Sequence, residues 1–164
     1  MIVGRERPPY IDKEQDMAEK TAGLSKEERE AVKQRAAELR AQEKAGKSRA
    51  AGEQAVREAI AALPDDDRAL AEGIDRIVSE VAPHLIPKTW YGFPSYADED
   101  GKVVVFFKAA SKFTTRYATL GFEESAHLDD GDLWVTSFAV VALTPETERT
   151  IAEHIRKAAG LEPE

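Results

Sequence analysis

The feature that most constrains this chain is a change of hydrophobic period between Pro83 and Pro87. Before it, Leu70, Ile74, Ile77, Val78 and Val81 recur at helical spacing; after it, Lys102–Lys108 reads KVVVFFK, β-branched and aromatic. An apolar helical stripe must bury itself against something, and an apolar strand needs sheet neighbours. The helix is therefore expected to pack across the sheet. Pro64 ends an earlier helix marked by Val56, Ile60 and Leu63, and Asp65, Asp66 or Asp67 can cap the next one. Asp100-Gly101 is a turn signal ahead of the first strong strand. Lys112–Leu120 then alternates, with Phe113, Thr115, Tyr117 and Thr119 on one face. Gly131–Leu143 reads as one or two further strands. Thr144-Pro145 starts a last helix carrying Ile151 and Ile155, which ends near Gly160. This order predicts an α+β domain, an antiparallel sheet with its helices segregated to one face.

Ahead of that domain the chain is polar. Residues 1–24, with Pro8-Pro9, Gly4 and scattered charges, are expected to form a disordered extension, and Met17 supplies a second initiator position. Residues 25–52 are expected to form a helical arm and a linker. Ser25 and Glu28 make a capping box, and the run that follows is rich in Ala, Glu, Lys, Arg and Gln. The apolar stripe there is thin (Leu24, Val32, Ala36, Leu39), so the arm is expected to be exposed or loosely docked. Gly46 and Gly52 flank the linker, and the α+β domain spans 53–160.

Charge divides along the same line. Residues 1–63 hold 13 Lys+Arg against 12 Asp+Glu, whereas residues 64–164 hold 10 against 19, a net of −9. An anionic body repels phosphate backbones, which argues against nucleic-acid binding. There is no cysteine, so disulfides, thiolate catalysis and zinc–thiolate sites are excluded. The longest apolar stretch, Val103–Phe107, is far too short to span a bilayer, and no signal-peptide pattern opens the chain. The expectation is a cytoplasmic protein with no membrane segment.

No familiar catalytic arrangement is visible. Ser95, Ser111 and Ser137 lack a nucleophile elbow, the glycines are scattered singly, and His84, His127 and His154 fall in no ligand spacing. Two acidic groups are candidate cation sites. One is Asp65, Asp66, Asp67, Glu72 and Asp75 along the strong helix; the other is His127 with Asp129, Asp130 and Asp132, near Glu123 and Glu124. Oxygen-rich clusters with one imidazole suit hard or borderline divalent metals, including ferrous iron. The same residues equally fit a solvated helix face and a solvated turn. A third group is aromatic and basic: Trp90, Tyr91, Phe93, Tyr96, Lys108, Lys112, Arg116 and Trp134. Here Tyr91-Gly92-Phe93-Pro94 is expected to be a constrained loop entering the sheet. It reads either as a seal over the helix–sheet interface or as a small pocket whose cations receive an anionic or polar group.

At Trp90-Tyr91-Gly92-Phe93-Pro94-Ser95-Tyr96 the chain resembles the YdhG-like family of small bacterial domains, with Phe93 where the family pattern has methionine. The resemblance continues through the 102–107 and 112–120 strands to the terminal helix, covering about residues 53–159. Some members of that family are described as frataxin-like iron chaperones. It therefore implies weak carriage of Fe(II) on surface carboxylates and delivery to iron–sulfur or haem assembly proteins. It supplies no ligand motif, so the carboxylates above are chosen on charge and position. The alternative is a non-enzymatic module that binds a small ligand or a protein through the Trp90–Tyr96 loop and the neighbouring cations.

Overall fold

The computed structural model describes Gly23, residues 25–45 and residues 49–162. The rest of the expected extension, Met17 and Leu24 included, and residues 46–48 of the linker lie outside the described residues. The elements run α1 (Lys26–Ala45), α2 (Arg49–Ala61), α3 (Asp65–Val81), β1 (Ile86–Trp90), β2 (Phe93–Ala97) and β3 (Val103–Lys108). Then follow α4 (Ala110–Phe113), β4 (Ala118–Phe122), β5 (Ser137–Val140) and α5 (Pro145–Ala158). The strands form a single antiparallel meander in chain order, so the fold is α+β.

The inner face of the sheet follows from register. Tyr96 lies opposite Val105, Val105 opposite Phe122, and Phe107 opposite Leu120, so all project to one side. Against them pack Val56 and Ile60 of α2, Ala71, Ile74, Ile77 and Val78 of α3, and Ile151, Ile155 and Ala158 of α5. Full burial of each large side chain contributes about 1.5–3 kcal/mol. No aspartate caps α3, contrary to expectation: Pro64 takes its N-cap position with no side-chain cap, and Asp65, Asp66 and Asp67 lie in its first turn. The ends of α5 are chemically marked. Thr144 caps α5 through a reciprocal bond with Thr147, and Pro145 sits at its first position. At its other end Gly160 takes φ 78°, Gly160 N–H reaches Lys157 O and Leu161 N–H reaches Arg156 O, a Schellman closure. Arg76 ties α3 to α5 through Glu148 (2.8 Å), a half-exposed pair worth at most about 1 kcal/mol.

Four further expectations change. Residues 49–52 are helical rather than linker, because α2 starts at Arg49 and Gly52 lies directly on the Pro87 carbonyl. Residues 90–96, expected as a loop entering the sheet, instead belong to two strands, 86–90 and 93–97, joined by a two-residue turn at Tyr91-Gly92. Pro87 is tolerated on an edge strand, and Pro94 lies outside the β2–β3 ladder, which begins at Ser95. The expected 112–120 strand starts only at Ala118, since Lys112 and Phe113 belong to α4 and Thr114 (φ 54°) turns the chain left-handed. Finally, the helices do not all share one face. α1 lies over the outer face at the β1–β2 end, where Ala31 is 7% exposed.

Candidate functional site

β1 and β2 are joined by two residues, with Trp90 opposite Phe93. Tyr91 (φ 52°) and Gly92 (φ 78°) both take positive φ, the type I′ geometry that matches strand twist. A tyrosine in that conformation is strained, and its neighbours hold it. Glu38 of α1 accepts a hydrogen bond from Gly92 N–H at 2.6 Å, and Lys112 Nζ reaches the Tyr91 carbonyl at 3.4 Å. The Arg35 guanidinium lies 5.9 Å from the Tyr91 ring centre. Glycine is favoured at position 92 by its positive φ rather than by space, since its nearest neighbours are the far ends of flexible side chains. A Cβ there would meet Lys112 Nζ and Gln34 Oε1 at about 2 Å.

The tip carries a continuous aromatic surface on the outer face. Trp90 contacts Tyr91 (4.9 Å between ring centres) and Phe106 (5.3 Å); Phe93 stacks with Phe106 (6.2 Å) and meets Phe113 edge-on (5.4 Å). Phe106 stays in this plane because Gly121, its cross-strand partner, leaves room. A Cβ at 121 would fall 2.2 Å from Phe106 Cζ. Between these rings and Ala31 and Val32 of α1 runs an open cleft of about 390 Å³, with Lys108 and Glu28 also lining it. Lys108 Nζ rests 4.4 Å from the centre of the Phe113 ring. Behind the tip, a second hollow of about 580 Å³ separates α1, α2 and α4, reaching Gln34, Glu38, Gly92 and Lys112. Burial lowers the Lys112 ammonium below the usual lysine value, while Glu38 and Glu30 pull it back up.

The structure thus divides the aromatic–basic candidates. Trp90, Tyr91, Phe93 and Lys108 line the cleft, and Lys112 lies behind it. Tyr96 does not belong there; it points into the inner core, and its hydroxyl donates to Asp75 at 2.7 Å. Arg116 stacks on Tyr117 at 5.3 Å, and Trp134 precedes β5, at the far edge of the sheet from β1. Phe106, Phe113, Ala31 and Val32 complete the cleft and were not among the candidates.

Of the acidic candidates, three have partners for their side chains. Asp65 pairs with Arg68, buried Asp67 accepts from Ser111 N–H (3.0 Å), and Asp75 accepts from Tyr96. Asp66 and Glu72 are exposed. His127 is exposed and its backbone N–H bonds Ala158 O, while Asp129, Asp130 and Asp132 lie on an exposed loop. Among the described residues no three His, Asp or Glu side chains converge as a metal site. No helix among them is long and apolar enough to cross a membrane. Compared with family models, curated proteins and solved structures, the chain matches none.

Proposed function

We propose that this domain is a non-enzymatic binding module whose aromatic cleft takes a small, flat, anionic molecule. The observation that supports this is the cleft itself. Its volume falls in the usual range for ligand sites, five aromatic rings line it, and Lys108 adds a cation. A planar ring would stack on Trp90 and Phe106, and its acidic group would draw Lys108 away from Phe113. The Fe(II) reading rests on the YdhG-like resemblance. It would require carboxylates such as Asp66, Glu72, Asp129, Asp130 and Asp132 to act singly, which fits loose carriage but not a formed site.

The test is a backbone and side-chain NMR titration of the full chain with a panel of aromatic carboxylates and phosphates. Saturable shifts on Trp90, Phe106, Lys108 and Phe113, with Kd below about 1 mM and lost in Trp90→Ala, are expected. Diffuse, non-saturating shifts across the panel would sink the cleft reading. A parallel anaerobic ferrous titration that broadens Asp65–Glu80 or Glu123–Asp132 saturably would favour iron carriage instead.

A further inference from the structure

Lys112 is drawn half inside the fold and is poorly partnered there. Its ammonium has three N–H groups to place. Among the described residues its one hydrogen bond goes to the Tyr91 carbonyl, and at 3.4 Å that bond is long. The Phe93 ring, 5.3 Å away, adds a weak attraction. Gln34 Oε1 lies beside the nitrogen, both within about 2 Å of where a Cβ on Gly92 would fall, and still accepts no hydrogen bond.

The charges around it do not make good the loss. Glu38 and Glu30 of α1 favour the ammonium, but burial outweighs them, and the group sits below the ordinary lysine value of 10.5. Glu38 is shared: one oxygen takes the Gly92 N–H at 2.6 Å and the other faces Arg35 at 3.9 Å. Glu58 of α2 accepts from Gln54 (2.9 Å), and Asp67 of α3 accepts from the Ser111 backbone. A lysine so placed is neutral more often than one in water, and the neutral amine is the nucleophile.

The hollow that Lys112 lines is the second observation. It measures about 580 Å³ and shares no described lining residue with the aromatic cleft. Gln34 is on its wall, and much of the rest is small and apolar: Ala37, Ala55, Ala59 and Leu63.

We infer that Lys112 captures a short, uncharged aliphatic aldehyde in this hollow as a reversible imine. The neutral nitrogen adds to the carbonyl carbon, and one of its protons passes to the carbonyl oxygen, giving a carbinolamine. Gln34 Oε1, unpartnered until then, accepts from the new hydroxyl. That hydroxyl then leaves with the remaining N–H proton as water while the C=N bond forms, so no oxidant or reductant is consumed. The alkyl chain lies against the alanines. Glu38 and Glu58, both on the wall, repel an aldehyde that carries its own carboxylate.

The test incubates the full chain with butanal and cyanoborohydride at pH 7, which fixes the imine as a butylated lysine, and reads each site by peptide mass mapping. Lys112 is expected to be labelled at least about fivefold faster than the exposed Lys26 and Lys33. Glyoxylate, an aldehyde bearing a carboxylate, loses that preference. Ala59→Leu fills the hollow from a half-buried position in α2 and leaves the nitrogen itself unchanged. It brings Lys112 down to the rate of the exposed lysines, while its circular dichroism matches the parent. Equal labelling of Lys112 and the exposed lysines by butanal, a preference kept with glyoxylate, or a Lys112 rate unchanged in Ala59→Leu overturns the inference.

Discussion

Removing one hydroxyl, by Tyr96→Phe, tests the link between α3 and the sheet. Tyr96 is 1% exposed and its hydroxyl donates to Asp75 Oδ1 at 2.7 Å. A hydrogen bond to a charged acceptor contributes about 1.5–3 kcal/mol. Asp75 is half-buried and regains water in the variant, so the low end applies, about 1.5 kcal/mol. In a chain of this size that lowers Tm by roughly 3–6 °C. A pH signature accompanies it. Burial first, then the charge and hydrogen bond of Asp75, hold the phenol well above its ordinary value of 10.0. Above pH 10 the unfolded chain releases this proton while the folded chain keeps it. Stability contributed by Tyr96 is therefore complete below pH 10 and falls as pH rises toward the folded value, by up to about 1.4 kcal/mol per pH unit. Phenylalanine has no proton to lose, so the gap between parent and variant narrows in that window. Urea unfolding followed by circular dichroism at pH 7, 9, 10 and 11 measures both effects. A gap below about 0.5 kcal/mol at pH 7, or one that does not narrow from pH 10 to 11, refutes the reasoning.

Two further substitutions probe contacts that place the site. Gly52→Ala in mid-helix ordinarily stabilises by about 1 kcal/mol, but here the new Cβ falls 2.0 Å from the Pro87 carbonyl oxygen. Backbone cannot swing aside as a side chain can, so the net effect is a loss of about 2 kcal/mol; a stabilised variant in urea melts would refute the α2–β1 contact. Asp67→Asn weakens the charged acceptor for Ser111 N–H, 3.0 Å away, at the start of α3. It lowers stability by about 1 kcal/mol and speeds amide exchange at Ser111; unchanged exchange there would count against the bond.

The helical half of the fold was readable because its signals are local. The stripe from Leu70 to Val81, the stop at Pro64 and the Thr144-Pro145 start all fall where the sequence puts them. The sheet was harder to read. Ile86–Trp90 and Phe93–Ala97 contain prolines that interrupt strand alternation, and only pairing shows that neither Pro87 nor Pro94 is needed as a donor. The 112–120 segment alternates well on paper, yet a left-handed Thr114 splits it, and nothing in a threonine announces that conformation. Of the candidate site, Trp90, Tyr91, Phe93 and Lys108 come from a short span of chain, and the dense aromatics flagged them. Phe106 and Phe113 read as ordinary strand residues. Their place in the cleft depends on Gly121 beneath one ring and on α4 turning the other back.

The arm explains itself least from sequence and most from the cleft. Its hold on the hairpin includes one short hydrogen bond to Gly92, buried Ala31 and the Arg35–Tyr91 contact. Against these stands Gln34 Oε1, buried without a hydrogen-bond partner, while Arg35 Nη1 and Glu38 Oε2 face each other at 3.9 Å, an ion pair too long to be a hydrogen bond. An unmet buried polar atom costs about 1–3 kcal/mol and a long ion pair returns at most about 1 kcal/mol, so docking is weakly held. The cleft has its floor on the sheet and one wall on α1, so a molecule filling it touches both. By linkage, whatever binds there favours the docked arm, and the docked arm favours binding by the same factor. A thicker apolar stripe on α1 would hold the wall in place regardless of occupancy. The thin stripe and polar composition of residues 25–45 give little to a core, and on the proposed binding reading they would leave the wall responsive to a ligand.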